Sequence, residues 1–262
     1  MKKNYINKSH IKHFNKYGYV IIRNVLQKKD INIINKRLEF LAKKQKDGRG
    51  LSEPGFKKAL IHSLHKDKVF ERVIEKKRWF QSSAKTLLNS NKIICWNAKS
   101  NLKNRWKGSV EYFHQDYIYW KGLGFKSSNL LNCMIFLDDH AHLNGGLWIF
   151  PSSHKKLFKH TKFMNINSLQ KYFIDPNMLD KIFKRCKPIS LNEKKGSCIF
   201  FHSLLIHGSA HNISPSDRKI LLYDMSSEQD FLKANIEKIV SFNRKARMKY
   251  EKRELLKRIN SL

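Results

Sequence analysis

The chain has 262 residues and a formal net charge of +32 at pH 7, from 53 lysine and arginine residues against 21 aspartate and glutamate residues. This length is sufficient for one domain with a full hydrophobic core. The sequence has no apolar stretch as long as a membrane span and no secretory signal at its N-terminus, so we expect a cytoplasmic protein without a membrane span.

The excess of positive charge favours anionic partners such as nucleic acid, a membrane surface, or a phosphorylated or carboxylated small molecule. Residues 229–262 contain ten basic against four acidic residues, so most of the charge lies elsewhere in the chain. The sequence is also rich in lysine, asparagine and isoleucine, a bias that an AT-rich genome produces without selection on function. Either explanation predicts a nonspecific attraction to polyanions.

The four cysteines show no metal-binding or redox spacing, and three of them lie in apolar runs. We therefore expect reduced thiols, as in a reducing compartment. These residues are Cys95, Cys133, Cys186 and Cys198.

The N-terminal part, residues 1–90, is predicted to be mainly helical. Gly18 is expected to form a turn into a short apolar strand, and Asp30 is expected to be the N-cap of a helix. A mobile connection from Gly48 to Gly55 precedes a helical segment from Leu64 to Leu88. This part contains no evident chemistry, so we expect it to pack on the outside of the rest.

From residue 91 the pattern changes to short apolar runs separated by turn-forming residues. This pattern predicts an antiparallel sandwich or jelly roll. We therefore expect a mainly β domain with flanking helices over residues 1–228, in which residues 91–228 form a double-stranded β-helix (jelly roll, cupin-like) core. Residues 155–187 are expected to be an irregular, partly helical insertion, and residues 229–262 a basic helical extension.

The segment from Tyr112 to Trp120 is predicted to be a half-buried strand because aromatic residues alternate along it. Residues two apart on a strand point to the same face, so His114 and Asp116 could present an imidazole and a carboxylate to one point. His207 is the best candidate for a third ligand. Two histidines and one carboxylate on one face of a metal are typical of non-haem iron(II) oxygenases.

A second His-x-Asp sequence, formed by His65 and Asp67, lies in the predicted helical segment. Residues two apart on a helix point in nearly opposite directions, so this pair is not expected to bind one ion.

Several motifs along the chain resemble, in their order, those of the phytanoyl-CoA dioxygenase superfamily of iron(II)- and 2-oxoglutarate-dependent oxygenases. The resemblance extends over residues 10 to 225. Its motifs are the stretch Phe14 to Leu26, His114-x-Asp116, Asp138 followed by Asn144 to Leu147, Pro151 to His154, and His207 to Ser209 with Asn212, Ser214 and Arg218. The stretch from Asn101 to His114, together with Trp120, is most similar to ectoine hydroxylase-like members.

The resemblance implies iron(II), 2-oxoglutarate and O2 as the cofactor and co-substrates. The three metal ligands of the family correspond to His114, Asp116 and His207. Arg218 would bind the far carboxylate of 2-oxoglutarate, because guanidinium binds carboxylate bidentately and stays charged. Ser209 would donate a second hydrogen bond to that carboxylate, and Asn101 corresponds to an amide donor near the co-substrate. The implied reaction hydroxylates an unactivated C–H bond and releases succinate and CO2.

Five further residues are candidates for lining the substrate pocket, with ordinary core or strand packing as the alternative. These residues are Trp120, Phe201, Asn97, Lys99 and Tyr112. Asn97 and Lys99 occupy positions where relatives have polar pocket residues, which predicts a small polar or anionic substrate. His154 and His202 are interpreted as structural. Glu111 departs from the ectoine hydroxylase pattern, so ectoine itself is not predicted.

Two alternatives to a small-molecule hydroxylase remain open. In the first, the same fold acts on or binds a polyanionic macromolecule through its basic surface, which predicts salt-sensitive binding. In the second, the fold is a non-catalytic binding module, against which the three metal ligands and Arg218 argue. The identity of the substrate and the oligomeric state do not follow from the sequence.

Overall fold

A computed structural model of the chain describes residues 5–43, 50–53, 56–108, 110–164 and 170–242. Parts of two predictions fall outside these residues. They are the start and end of the predicted mobile connection, at residues 48–49 and 54–55, and most of the predicted C-terminal extension, at residues 243–262.

The helices of the described residues are mostly short. They are α1 (Lys8–Tyr17), α2 (Lys28–Lys43), α3 (Lys68–Phe70), α4 (Arg78–Leu88), α5 (Tyr117–Gly122), α6 (Pro176–Arg185), α7 (Glu228–Leu232) and α8 (Ile236–Phe242). The ends of α1 show how the local sequence sets its limits. The side chain of Asn7 accepts a hydrogen bond from the backbone N–H of His10 at 2.9 Å, and Gly18 ends the helix with a φ of 84°.

The strands form two main antiparallel sheets and a separate hairpin. They are β1 (Tyr19–Ile22), β2 (Gly50–Glu53), β3 (Phe56–His62), β4 (Ile93–Lys103), β5 (Glu111–His114), β6 (Leu131–Phe136), β7 (Leu147–Ile149), β8 (His160–Met164), β9 (Gln170–Ile174), β10 (Ile189–Ser190), β11 (Cys198–His202), β12 (His207–Ser209) and β13 (Arg218–Ser227). The large sheet has the order β1-β11-β6-β13-β4-β3-β2, the small sheet has the order β10-β7-β12-β5, and β8 pairs with β9.

The outer face of the large sheet is covered by the N-terminal helices. Phe80 of α4 packs on Tyr223 of β13 with ring centroids 5.2 Å apart and on Phe200 of β11 at 6.3 Å. Ile34 and Leu38 of α2 belong to the same buried cluster. The N-terminal part therefore packs on the outside of the β core, as its lack of evident chemistry predicted.

The inner face of the large sheet packs against the small sheet. Ile220 and Leu222 of β13 form a buried cluster with Phe136 of β6 and with Leu147 and Ile149 of β7. Because side chains alternate between the two faces of a strand, Arg218 and Asp224 of β13 lie on this inner face with Ile220 and Leu222.

The prediction that Asp30 is an N-cap is wrong. Helix α2 begins at Lys28, and the backbone N–H of Ile31 donates to the carbonyl of Gln27 at 3.2 Å. Asp30 lies inside the first turn, and its carboxylate accepts from the backbone N–H of Gln27 at 3.1 Å. An acidic residue at this position stabilises the start of the helix by bonding back to the N-cap residue.

The predicted mobile connection is also wrong for residues 50–53, which form β2. Gly50 pairs with Ile61 of β3, and β3 pairs in turn with β4. The glycine-rich sequence indicated a linker, but pairing with a strand that is itself held by the large sheet supplies the backbone hydrogen bonds of these residues.

The predicted irregular insertion contains a regular hairpin, β8–β9, followed by α6. His160 pairs with Ile174 and Met164 with Gln170. The backbone N–H of Tyr172 on β9 donates to the hydroxyl of Tyr119 at 3.0 Å, so the hairpin packs beside α5.

The first part of the predicted C-terminal extension packs on the β core. Phe231 of α7 and Ile239 of α8 are fully buried in a cluster that also contains Trp96 and Trp120. Within the described residues, no helix has both the length and the apolar character that crossing a membrane requires. All four cysteines are free thiols.

Candidate metal and co-substrate site

A β-bulge in β5 sets the direction of the side chains at one end of the small sheet. His207 pairs with His114 and Ser209 pairs with Glu111, so three residue steps on β5 match two on β12. The extra residue turns Glu111 and His114 toward the same side, which is a common role of bulges beside active sites. Gly208 faces the bulge, and a side chain there would lie 2.8 Å from the carbonyl oxygen of Glu111.

Three side chains converge in front of this bulge. Nε2 of His114 lies 3.4 Å from Oδ1 of Asp116, and Nε2 of His207 lies 3.5 Å from Oδ2 of the same carboxylate. One ligand atom from each residue falls within a region 4.8 Å across, and this is the one such group of metal-ligand residues found in the described part of the chain. The predicted convergence of His114, Asp116 and His207 is therefore present.

The predicted reason for this convergence is wrong. Strand β5 ends at His114, and Asp116 has helical φ and ψ values of −61° and −29° at the start of α5. The residues from Tyr117 onward are helical rather than extended. Asp116 reaches the histidines because the chain turns sharply after the strand, and the alternating aromatic residues of Tyr117 to Trp120 instead form the faces of α5.

Hydrogen bonds fix both imidazole rings in one orientation. Nδ1 of His114 lies 2.7 Å from the carbonyl oxygen of Tyr112, and Nδ1 of His207 lies 2.9 Å from that of Leu205. A carbonyl oxygen can only accept, so each Nδ1 carries the hydrogen and each Nε2 has a free lone pair in the neutral ring. Both lone pairs are then available to a metal ion.

Burial and neighbouring charges shift the pKa values of these groups in different directions. Burial lowers the pKa of His114, but the hydrogen bond and the charge of Asp116 outweigh it and raise that pKa above its usual value. Burial alone would raise the pKa of Asp116, but His207, His114 and Lys99 outweigh it and hold that pKa far below its usual range. Burial lowers the pKa of His207 to about 4. At neutral pH the carboxylate is ionised and the His207 ring is neutral, as metal binding requires.

The carboxylate and the loop around it are held by amide side chains. Nδ2 of Asn132, on β6 of the large sheet, donates to Oδ2 of Asp116 at 2.9 Å. Gln115 is fully buried, and its Nε2 donates to the carbonyl of Leu204 at 2.6 Å. Asn132 therefore orients the carboxylate, while Gln115 anchors the turn between β5 and α5 to the segment before β12.

Arg218 begins β13 and is 2 % exposed. In the described part of the chain its Nε has no hydrogen-bond partner. Burial lowers the pKa of Arg218 to about 10, so the group stays charged at neutral pH. Glu111 and Asp138 offset part of this buried charge, but the free donor at Nε still requires an acceptor, because a buried donor without a partner is costly. A carboxylate of a bound molecule would meet this requirement.

Lys103 is a second buried cation at this end of the large sheet, and the sequence analysis did not single it out. It pairs across the strands with Arg218, and its Nζ donates to the hydroxyl of Ser209 at 2.8 Å and to the carbonyl of Ala210. Gly145 makes room for it, since a side chain there would lie 2.7 Å from Cδ of Lys103. Lys103 follows Asn101 by two residues, so the two side chains share a face of a strand. This spacing was the signal in the sequence that could have identified Lys103.

Asn101 lies between Lys99 and Lys103 on the same face of β4, and it pairs with Ile220 of β13. The side chains of the predicted co-substrate residues therefore lie between the two sheets. These residues are Arg218, Ser209 and Asn101. The hydroxyl of Ser209 accepts the hydrogen bond from Lys103, which leaves its own hydrogen free to be donated.

The residues that form this site lie within the part of the chain that matches a known protein family. The family model of phytanoyl-CoA dioxygenase (PhyH) matches residues 14–220, which include all three candidate metal ligands and Arg218. The chain belongs to the phytanoyl-CoA dioxygenase family. It is a 2-oxoglutarate-dependent dioxygenase that uses iron.

Two curated relatives show the range of this family. Ectoine dioxygenase from Stutzerimonas stutzeri is 28% identical over 227 residues, which cover 81% of this chain and 74% of the relative. L-proline trans-4-hydroxylase from Streptomyces griseoviridis is 24% identical over 220 residues, which cover 78% of this chain and 81% of the relative.

Solved structures show the same fold. EctD from S. alaskensis, determined with 2-oxoglutarate and 5-hydroxyectoine, has a TM-score of 0.75 at 19% identity and covers 88% of this chain and 79% of its own. The predicted class, a mainly β, cupin-like fold with flanking helices, is thereby confirmed. In the described residues the two sheets face each other without forming a closed barrel.

The five candidate pocket residues of this dioxygenase lie in different surroundings. Phe201 is fully buried with its ring centroid 5.0 Å from that of His207. Asn97 and Lys99 lie on the inner face of β4. Trp120 is 3% exposed and packs on Trp96 at 5.4 Å within an aromatic cluster.

Tyr112 has a different environment, since it is 57% exposed. Its ring lies 5.7 Å from that of Phe163 on the β8–β9 hairpin. Both rings line an apolar groove of about 820 Å³ that also reaches Glu111 and Ser209 but not the three candidate metal ligands.

The second His-x-Asp sequence does not form a metal site. Asp67 accepts from the backbone N–H of Val69 at 2.9 Å and forms an ion pair with Arg37 at 2.7 Å. His65 lies in a short 3-10 turn before α3. The ring centroids of His154 and His202 lie 5.5 Å apart. Neither residue belongs to the group of candidate metal ligands, which agrees with their interpretation as structural residues.

Proposed function

We propose that this dioxygenase hydroxylates an unactivated C–H bond of a small polar metabolite, and that it oxidises 2-oxoglutarate to succinate and CO2. The observation that carries the proposal is the convergence of two Nε2 lone pairs and one ionised carboxylate between the two sheets. Two histidines and a carboxylate leave one face of an iron(II) ion free for other ligands.

The residues of the site fit both an iron(II) ion and 2-oxoglutarate. His114, Asp116 and His207 would hold the iron, which supplies the site for O2 activation when it is bound. Arg218 is charged, buried and without a hydrogen bond at Nε, so it would hold the far carboxylate of 2-oxoglutarate. Ser209 can donate to the same carboxylate, and Lys103 adds positive charge beside it.

The protein contributes orientation and exclusion of water. Asn132 holds the carboxylate of Asp116, and backbone carbonyls hold the two rings, so the ligand atoms need little rearrangement. Phe201 and the apolar cluster between the sheets keep water from the opposite side of His207. One atom of O2 would enter the substrate as hydroxyl, and the other would enter succinate.

The proposed substrate class is inferred in part from the compounds on which the relatives act. Their names identify ectoine and L-proline as the compounds on which they act, and both are small polar molecules. The inner face of β4 presents Asn97 and Lys99 in this chain. These polar side chains support a small polar substrate with a charged group, as the sequence analysis predicted.

The test is the anaerobic addition of iron(II) and 2-oxoglutarate to the purified protein, followed by visible absorption spectroscopy. Chelation of iron by 2-oxoglutarate is expected to give a charge-transfer band in the wild type and none in Asp116→Ala. The control is Asp180→Ala, which changes an exposed aspartate of α6 and should retain the band.

Turnover is then tested by adding O2 and candidate substrates and measuring succinate. Substrate-dependent succinate production is expected in the wild type and in the control variant. The absence of a charge-transfer band in the iron-loaded wild type would contradict the proposed function, and unchanged turnover in Asp116→Ala would contradict the assignment of this ligand.

A further inference from the structure

A row of polar residues crosses the inner face of the large sheet on the side away from Arg218. Asp224 of β13 pairs with Asn97 of β4 on one side and with Asn132 of β6 on the other. Neighbouring strands lie roughly 5 Å apart, so the three side chains are adjacent. All three are nearly or fully shielded from solvent, with exposures of 3%, 1% and 0%.

Each residue of this row has an oxygen atom without a donor. Nδ2 of Asn97 donates to Oδ2 of Asp224 at 2.6 Å, and Nδ2 of Asn132 donates to Oδ2 of Asp116 at 2.9 Å. In the described part of the chain, Oδ1 of Asn97, Asn132 and Asp224 has no hydrogen-bond partner.

The orientation of both amides follows from their partners. A carboxylate oxygen can only accept from an amide, so each amide must turn its nitrogen toward its carboxylate and its oxygen toward the interior. The row therefore presents three oxygen acceptors that have no partner in the described part of the chain. Buried acceptors of this kind are normally hydrogen-bonded, so these three oxygen atoms need a donor from outside the row.

A cation bound at the row would favour the ionised form of Asp224. Burial raises the pKa of Asp224, Lys99 lowers it and the nearby Asp116 raises it, with a net value of about 7, so the carboxyl group is only partly ionised at neutral pH in the absence of such a cation. Lys99 lies on the same face of β4, opposite Leu222, but does not hydrogen-bond to Oδ1 of Asp224. The group that best completes the row is positively charged and carries several N–H donors.

We propose that Asp224, Asn97 and Asn132 bind a nitrogen cation of the substrate, such as an ammonium or amidinium group, beside the metal ligand Asp116. This proposal rests on the proposed function and deepens it, because it names the part of the substrate that the row recognises. Lys99 is placed to bind an anionic group of the same molecule, so the substrate class is a small zwitterion. From the sequence alone, only a polar or anionic substrate is expected here.

The experiment measures binding by calorimetry to the full-length protein, under anaerobic conditions with iron(II) and 2-oxoglutarate. The probes are ectoine and amino acids such as L-proline, each amino acid paired with the carboxylate that lacks its nitrogen. For L-proline this partner is cyclopentanecarboxylate, which has the same ring size and the same carboxylate but a methylene group in place of the ring nitrogen. We expect at least one zwitterion to bind, and to bind about 10- to 100-fold more tightly than its partner, as for a charged hydrogen-bonded group.

The variant Asp224→Asn keeps the size of the side chain and removes its charge. We expect it to lose most of the preference for the zwitterion over its partner, and Asp224→Glu to retain part of it. A purely structural role of Asp224 would weaken both members of a pair equally. The matched control is Asp180→Asn on the exposed face of α6, and circular dichroism verifies that each variant is folded.

Two results would overturn the proposal. One is equal binding of a zwitterion and its partner to the wild type, and the other is no binding of any zwitterion in the panel. The charge-transfer band measured in parallel separates these outcomes from failure of the proposed function. If the band forms without discrimination between probes, only the assignment of the row is wrong. If the band is absent, the function itself is wrong.

Discussion

The inner face of β13 carries opposite charges at its two ends. Arg218 and its neighbour Lys103 place two buried cations at one end, whereas Asp224 and its two asparagine neighbours place acceptors at the other. Arg218 and Asp224 are six residue steps apart, which is roughly 20 Å along a strand. Ile220 and Leu222 lie between them in the apolar cluster.

This difference indicates how one strand can serve two ligands. The cationic end is complementary to a carboxylate, and the acceptor end is complementary to N–H donors. The proposed metal ligands His114 and His207 come from the small sheet, which faces this strand. Two molecules bound at opposite ends would therefore be directed to one metal from different sides, and the following changes test that separation.

The largest effect is expected from His207→Ala, which removes a ligand without altering either end of β13. We expect iron(II) affinity to fall by more than about 100-fold. Mutation of a residue that only hydrogen-bonds to a metal ligand already lowers metal affinity by about 10- to 100-fold. Anaerobic metal titration monitored by tryptophan fluorescence measures this. His142→Ala, at an exposed histidine, should bind iron like the wild type, and wild-type affinity in His207→Ala would refute its role as a ligand.

Arg218→Ala should affect the cationic end alone. We expect the affinity for 2-oxoglutarate to fall by about 10- to 100-fold, since a hydrogen bond to a charged group contributes about 1.5–3 kcal/mol, while iron binding without the co-substrate stays unchanged. Titration of 2-oxoglutarate into the iron-loaded protein measures this. The control is Arg105→Ala, at an exposed arginine. If iron affinity fell equally, the two ends would not be separable.

A smaller effect is expected from Asn132→Ala at the acceptor end. It removes the hydrogen bond to Oδ2 of Asp116, so iron affinity should fall by about tenfold as the carboxylate loses its fixed orientation. The same metal titration applies, with Asn177→Ala on α6 as the control. Unchanged iron affinity would show that Asp116 is held adequately without this amide.

The smallest effect concerns histidines that belong to neither end. Burial lowers the pKa of His154 and of His202 to about 4, below the ordinary value of 6.5. The unfolded chain then binds more protons than the folded protein between these values. The contribution of each neutral ring to the free energy of unfolding is therefore fully present above pH 6.5. It is lost as the pH falls toward 4, by at most about 1.4 kcal/mol per pH unit for each group.

Chemical denaturation at pH 7 and pH 5 measures this loss. His202→Gln should lose less stability between the two pH values than the wild type, and His142→Gln should behave like the wild type. Since these rings are not ligands, the affinity for iron at pH 7 should be the same in His202→Gln and in the wild type. An identical pH dependence in all three proteins would contradict the assignment to His202.

Much of the site could be predicted because its residues have few chemical substitutes. Two histidines and a carboxylate, with an arginine at the start of a later strand, are present as the sequence indicated. The same reasoning placed Asp116 on a strand, whereas it is the N-cap residue of α5. Alternating aromatic residues fit either the two faces of a strand or the two sides of a short helix, and only the contacts of α5 distinguish them.

Other features of the structure could not be predicted from local sequence patterns. Strand β2 lies in a glycine-rich stretch and pairs only because β3 is held by β4. Lys103 looked like one basic residue among many, and its burial beside Arg218 depends on strand pairing. The N-cap prediction at Asp30 failed because the same side chain can stabilise a helix from the cap or from the first turn.

The sequence by itself determined the chemical groups of this dioxygenase, its mainly β architecture and the family to which it belongs. The tertiary structure decided which groups meet. Asn97 and Asp224 bond across 127 positions of sequence, and their contact depends on the register between β4 and β13. A shift of one residue would turn every side chain of β13 to the other face. Register is fixed by the packing of the whole sheet, so the acceptor row could be found only in the folded chain.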